Sequence, residues 1–203
     1  MIVLGLIHGK ISVIKNYKLK AQILEKEKAI LEQQSQLSKT EKIQKQKNLD
    51  MRFLVSFGPD YLFVGCGDKN VYIVSLGEET CNIQKFCHHS IITCMTTDYD
   101  KQLLCVGDVN GRLTYYKNPI KNHNKDYSIF HWHSDQISTL EFANSGDMLL
   151  SGGNEGVIAI WYENGTKKDF CPRVQGKIVQ LKTNEDSDKV MIKLHNNSIK
   201  IIQ

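Results

Sequence analysis

The stretch QISTLEFANSGDMLLSGGNEGVIAIWYE, residues 136–163, decides how this chain folds. QISTLEF alternates polar and apolar residues, as a strand with one buried face does. NSG supplies a turn, DMLLSGG reads as a second strand, NEG as a second turn and VIAIWYE as a third strand. A fourth, outer strand is expected in KDFCPRV, with Gly165 and Pro172 as punctuation nearby. The unit is therefore a short-stranded antiparallel sheet.

It is not unique in the chain. VLGLIHGKISVI, LFVGCGDKNVYIVS, LLCVGDVNGRLTYY and VMIKLHNNSIKII repeat the same order of apolar strand, small or polar turn and second strand. The five units close at Ile14, Ser75, Tyr116, Trp161 and Ile202, which are 61, 41, 45 and 41 residues apart. Three of these intervals fall at the period of about 40–45 residues expected for WD-type blades. The fold class expected is therefore all-β, a WD40-type propeller of about four blades. That number falls short of a closed ring of about seven, so the ring is expected to be incomplete. The expected organisation is a partial blade over 1–14, an insertion over 15–50 and blades over 51–203.

Just upstream, FHWHSDQISTLEF (residues 130–142) holds His131, His133 and Asp135. In one continuous strand they would share a face and suggest a metal site. The repeat favours another reading. His133 lies 28 residues before Trp161, and His88 lies 28 residues before Tyr116. A histidine recurring at one phase of the repeat is expected to lock strands together rather than to bind metal. In the better unit His133, Ser151, Glu155 and Trp161 would form that lock, with Glu155 where Asp is usual in WD repeats. His88 and Tyr116 are its counterparts in the preceding unit, where Asn110 stands at the acidic position. His131 has no counterpart, since Phe86 occupies its place.

Composition sets the broad class. Hydrophobic residues make up 41% and charged residues 24%, as in ordinary globular domains. The longest apolar runs, MIVLGLI and IITCM, are far below the roughly 20 residues of a membrane span. The opening shows no secretory signal pattern. Cys66, Cys81, Cys87, Cys94, Cys105 and Cys171 contain no CxxC pair and lie in apolar runs, so buried free thiols in an intracellular setting are expected.

The net charge of +4 is unevenly placed: Lys15–Lys47 holds 9 Lys and 4 Glu, a local +5, and the rest carries −1. This segment lacks Gly and Pro and is rich in helix formers. Ile23, Ile30 and Leu37 are spaced by seven, but Glu27 and Gln34 interrupt the second stripe a coiled coil needs. A helical or disordered insertion from the propeller rim is expected.

No P-loop, GxSxG elbow, HExxH or helix-opening GxGxxG is present. SGGNEG joins two strands, so it lacks the helix N-terminus of a phosphate cradle. CHHSIITC, with Cys87, His88, His89 and Cys94, fits no standard zinc spacing. No catalytic, cofactor-binding or metal residue is assigned.

From His88 onward the chain resembles a known family. HWH, then STLEFANSGDMLLSGGNEGVIAIW, KKDFCPRV and LHNNSIKIIQ resemble the WD repeat-containing protein 75 family over residues 88–203, and faintly over 52–87. The resemblance implies the later part of that family's first propeller. It also implies a nucleolar, non-enzymatic scaffold of the small-subunit processome, acting in pre-rRNA transcription and processing. Its partners would be other processome proteins, with no membrane, cofactor or small-molecule substrate. With 3 Arg against 23 Lys, any contact with pre-ribosomal RNA is expected to run through lysines and to weaken with salt. The alternative is a WD-repeat adaptor in another pathway, such as cytoskeletal or ciliary assembly.

Overall fold

A computed structural model describes residues 4–7, 10–13, 50–76, 81–122, 126–143, 147–162, 165–184 and 186–202 of the 203. Lys15–Lys47, the expected helical or disordered insertion, lies outside the described residues.

The chain forms a series of antiparallel meanders. A two-stranded sheet pairs β1 (Leu4–Ile7) with β2 (Lys10–Val13). The first four-stranded sheet runs β3 (Met51–Phe57), β4 (Tyr61–Cys66), β5 (Asn70–Leu76) and β6 (Cys81–Cys87). The second runs β7 (Ile92–Asp98), β8 (Leu103–Asp108), β9 (Arg112–Lys117) and β10 (Tyr127–His131), with a four-residue helix α1 (Pro119–Asn122) before its outer strand. The third runs β11 (Ile137–Phe142), β12 (Met148–Gly153), β13 (Ile158–Tyr162) and β14 (Lys167–Phe170). The last described sheet has three strands, β15 (Ile178–Thr183), β16 (Val190–Leu194) and β17 (Ile199–Ile202).

This is the all-β, partial WD40-type propeller expected from the period, and one irregularity fixes its phase. Every inner strand bulges at the same point: Met51/Phe53, Ile92/Cys94, Ile137/Thr139 and Ile178/Gln180. A bulge adds one residue to one strand and sharpens its twist. The first residues of these bulges are 41, 45 and 41 apart, so the bulge repeats with the blade. The bulge residue pairs with Cys66, Asp108, Gly153 and Leu194, and four residues before these the second strand pairs with Val74, Tyr116, Trp161 and Ile202, so Val74, not Ser75, is the first unit's counterpart. Val74 is fully buried and Ser75 only partly, because successive residues of a strand face opposite sides.

The inner strands β3, β7, β11 and β15 adjoin in order, and polar links tie each to the next. Thr93 donates its hydroxyl to the Ile137 carbonyl, and Ser138 does the same to Ile178. Between the blades lie apolar layers. Phe57, Phe63, Ile73 and Phe86 of the first sheet pack on Ile92, Met95, Leu104 and Tyr116 of the second. Cys105, Leu113 and Tyr115 of the second pack on Ile137, Leu149 and Trp161 of the third. Leu150 and Ile158 of the third meet Ile178, Leu181 and Ile192 of the last. Each blade thus completes the core of its neighbour.

Glycine at two inter-strand turns permits close approach. Gly111 and Gly156 hold φ of +74° and +79°, and a Cβ on either would strike a backbone carbonyl of the next connection, that of His133 or Val174. The fourth strand of the third blade is shorter than expected. It ends at Phe170, since Pro172 has no N–H to continue the ladder.

The expectation of uniformly buried thiols needs correction. Cys66, Cys94 and Cys105 are buried, but Cys171 is half-buried and Cys87 is exposed at the end of the outer strand β6. Among the described residues no helix is long and apolar enough to cross a membrane.

Candidate functional site

In the third blade the structure brings His133, Ser151, Glu155 and Trp161 into one hydrogen-bonded chain. His133 sits in the connection from β10 to β11, Ser151 in the middle of β12, Glu155 in the β12–β13 turn and Trp161 in β13. Trp161 Nε1 donates to Ser151 Oγ at 2.8 Å. Ser151 Oγ lies 2.7 Å from His133 Nε2, and His133 Nδ1 lies 2.5 Å from Glu155 Oε1. An indole can only donate, so with a neutral imidazole the protons run one way. The Ser151 hydroxyl donates to Nε2, and Nδ1–H donates to the carboxylate. His133, Ser151 and Trp161 are at most 2% exposed. Burial raises the cost of breaking any link, because an orphaned polar group cannot turn to water.

The carboxylate of this chain reaches His133 through a space left by glycine. A Cβ on Gly153 would collide with the Glu155 side chain. In the second blade the position equivalent by the bulge is Asp108, so the carboxylate there comes from the strand end rather than from the turn. Asp108 Oδ1 accepts the backbone N–H groups of Asn110 at 2.8 Å and Arg112 at 3.0 Å, closing the β8–β9 turn.

The second blade therefore joins its residues differently. His88 Nδ1 is 2.6 Å from the Tyr116 hydroxyl, while Ser151 is replaced by Val106. The His88 and His89 rings lie 3.9 Å apart between centroids. His89 Nε2 is 3.4 Å from Thr114 Oγ1 and 3.7 Å from Asp108 Oδ2. Burial, with help from nearby His89 and Lys69, pushes the pKa of His88 down to about 3. His89 is also lowered, by burial first, with Asp108 opposing. Sequence reasoning missed Asp108. The signal was present in GDVNG, an Asx turn two residues ahead of the expected acidic position.

His131, His133 and Asp135 do not converge. Strand β10 ends at His131, which is exposed and pairs across to Arg112, so the alternation that would align the three is broken. Asp135 instead accepts the backbone N–H of Gln136. Cys94 does not join His88 either: its thiol faces the Ile137 carbonyl at 3.5 Å, and burial raises its pKa to about 12. Trp132, between the two histidines, is 53% exposed, with the Lys168 ammonium 3.7 Å from its ring centre and Phe170 beside it.

Four sheets with these turns and one hydrogen-bonded chain agree with a comparison against known families. The profile described as the first beta-propeller of WD repeat-containing protein 75 matches residues 63–198. The chain belongs to the WD repeat-containing protein 75 family. Among its similar family relatives is U3 small nucleolar RNA-associated protein 17 of Schizosaccharomyces pombe. It is 29% identical over 141 residues, which is 67% of this chain and 17% of the relative. WD repeat-containing protein 75 of Danio rerio is 33% identical over 114 residues, 55% of this chain and 14% of the relative. NET1-associated nuclear protein 1 of Saccharomyces cerevisiae is 26% identical over 124 residues, 55% of this chain and 13% of the relative. The chain thus spans less than a fifth of each of these relatives.

Proposed function

We propose that this chain is a non-enzymatic scaffold subunit of the nucleolar small-subunit processome, acting in pre-rRNA transcription and processing and in small ribosomal subunit biogenesis. The observation that carries the reading is the first-propeller match over residues 63–198. Relatives named for association with U3 small nucleolar RNA and for the nucleus support it. The site geometry supports the absence of catalysis. In the third blade the histidine, serine and carboxylate are engaged with one another and with an indole, and Ser151 is 0% exposed, so this serine is held as a structural link rather than offered to a substrate.

On this reading residues 51–203 form the propeller part, and the lock of His133, Ser151, Glu155 and Trp161, with His88 and Tyr116 in the blade before, holds surfaces in place for other processome proteins. Any contact with pre-ribosomal RNA runs through lysines. The test is expression of the tagged chain in its own cells. Concentration in the nucleolus with co-purification of U3 small nucleolar RNA and processome proteins is expected. A cytoplasmic protein that co-purifies with cytoskeletal or ciliary components instead would overturn the reading in favour of an adaptor role.

A further inference from the structure

The second blade contains two buried polar atoms that hydrogen bonds do not account for. His88 Nε2 and Asp108 Oδ2 have no hydrogen-bond partner among the described residues, although His88 is 1% exposed and Asp108 0%. Leaving such groups unpaired in a protein interior is costly, because burial strips their water and nothing replaces it. Both lie in one cluster with His89, where a ligand atom from each of the three residues falls within 4.8 Å of the others.

The third blade shows the direct contact at the same place, with one carboxylate oxygen, Glu155 Oε2, left without a hydrogen-bond partner among the described residues. There the imidazole and the carboxylate meet directly, His133 Nδ1 to Glu155 Oε1 at 2.5 Å. In the second blade the nearest approach of carboxylate to imidazole is 3.7 Å, between Asp108 Oδ2 and His89 Nε2. That distance is too long for a hydrogen bond and suits two ligands of one ion. Bonds of about 2.0–2.2 Å to a tetrahedral metal put ligand atoms about 3.3–3.6 Å apart.

We propose that His88 Nε2, His89 Nε2 and Asp108 Oδ2 bind one divalent transition-metal ion of the zinc class, tying the β6–β7 connection to the β8–β9 turn. Two imidazoles and a carboxylate match the ligand preference of zinc, and three protein ligands leave a fourth position on the exposed side of His89. The outer contacts needed to aim the ligands are present. The Tyr116 hydroxyl lies 2.6 Å from His88 Nδ1, where it accepts that N–H when Nε2 holds the metal. Two backbone N–H groups fix Asp108 Oδ1 and leave Oδ2 toward the histidines. Lys69 and Arg112 are close enough to oppose a cation, so binding is weaker than at a four-ligand structural site.

The test is titration of the purified, chelator-treated full chain with Zn²⁺ by calorimetry, and with Co²⁺ followed by its visible absorption. One equivalent bound is expected, with affinity falling about tenfold or more in both His89→Ala and Asp108→Asn. His131→Ala, an exposed histidine outside the cluster, should bind as the parent does. Asp108 also closes a turn, so Asp108→Asn is read only if its circular dichroism matches the parent; His89→Ala, at the surface, decides in any case. No stoichiometric binding by the parent, or parental affinity in His89→Ala, overturns the proposal. Nucleolar assembly does not enter this measurement, so it stands or falls apart from the proposed function.

Discussion

Glu155 reaches His133 across the space that Gly153 leaves open. The carboxylate lies 2.5 Å from the imidazole, and a methyl group on Gly153 would occupy the path of the Glu155 side chain. Gly153 has no positive φ, so alanine there is opposed by this contact and not by the backbone. Gly153→Ala and Glu155→Ala should each destabilise the fold by about 1–3 kcal/mol, by leaving His133 without its acceptor. The double variant should cost little more than the larger single one, because both break one bond. Urea unfolding of the four proteins measures the coupling, and full additivity would separate the two residues.

A second pair of glycines distinguishes close approach from backbone preference. Gly111 has φ +74° and faces the His133 carbonyl of the next blade, whereas Gly176 has φ +126° and a Cβ there would make only ordinary contact with the Leu194 side chain, at 3.6 Å. Gly111→Ala should therefore cost about 1 kcal/mol or more beyond Gly176→Ala, since it pushes two blades apart as well as straining φ. Equal losses in thermal or urea unfolding would mean that the blades do not meet at this carbonyl.

The thiols should react in the order set by burial. Cys94 is buried with its pKa raised to about 12, and Cys105 is raised well above the ordinary thiol range by the same desolvation. Cys87 is exposed. Brief iodoacetamide treatment of the native protein near pH 8, read by peptide mass spectrometry, should modify Cys87 and leave Cys94 and Cys105 intact, because the thiolate is the reactive form. Modification of Cys105 at a rate near that of Cys87 would place its strand outside the core.

Much of the fold was legible because the repeat acts at several levels together. The 28-residue spacing from His133 to Trp161 survives in His88 and Tyr116 since both ends sit at fixed places in a blade. What the spacing cannot convey is the face a residue takes after a bulge. The ladder puts the first unit's closing position at Val74 rather than Ser75, and the run VYIVSL, whose aromatic is Tyr72, has none at its closing end to mark it. What settles the matter is the first hairpin, one residue shorter between Met51 and its partner Cys66 than between Ile92 and Asp108, and that leaves no composition signal. The HWH stretch misled in the opposite way, since a strand ending at His131 looks in sequence like one that continues. Asp108 escaped notice because a carboxylate can enter the same space from a strand end or from a turn, and only the Gly153 and Asp108 exchange reveals which.

The central claim is that the buried polar side chains of the third blade serve to hold its strands together, and the Trp161 indole reports on this directly. The chain has two tryptophans, Trp161 bonded to Ser151 and 1% exposed, and Trp132 at the surface. Hydrogen exchange of the two indole N–H groups by NMR should show one slow and one fast. Ser151→Ala should speed the slow one at least tenfold and lower stability by about 2 kcal/mol or more, as it strips partners from both His133 and Trp161. Two indoles that exchange at the same rate, or a slow one unaffected by Ser151→Ala, would contradict the account.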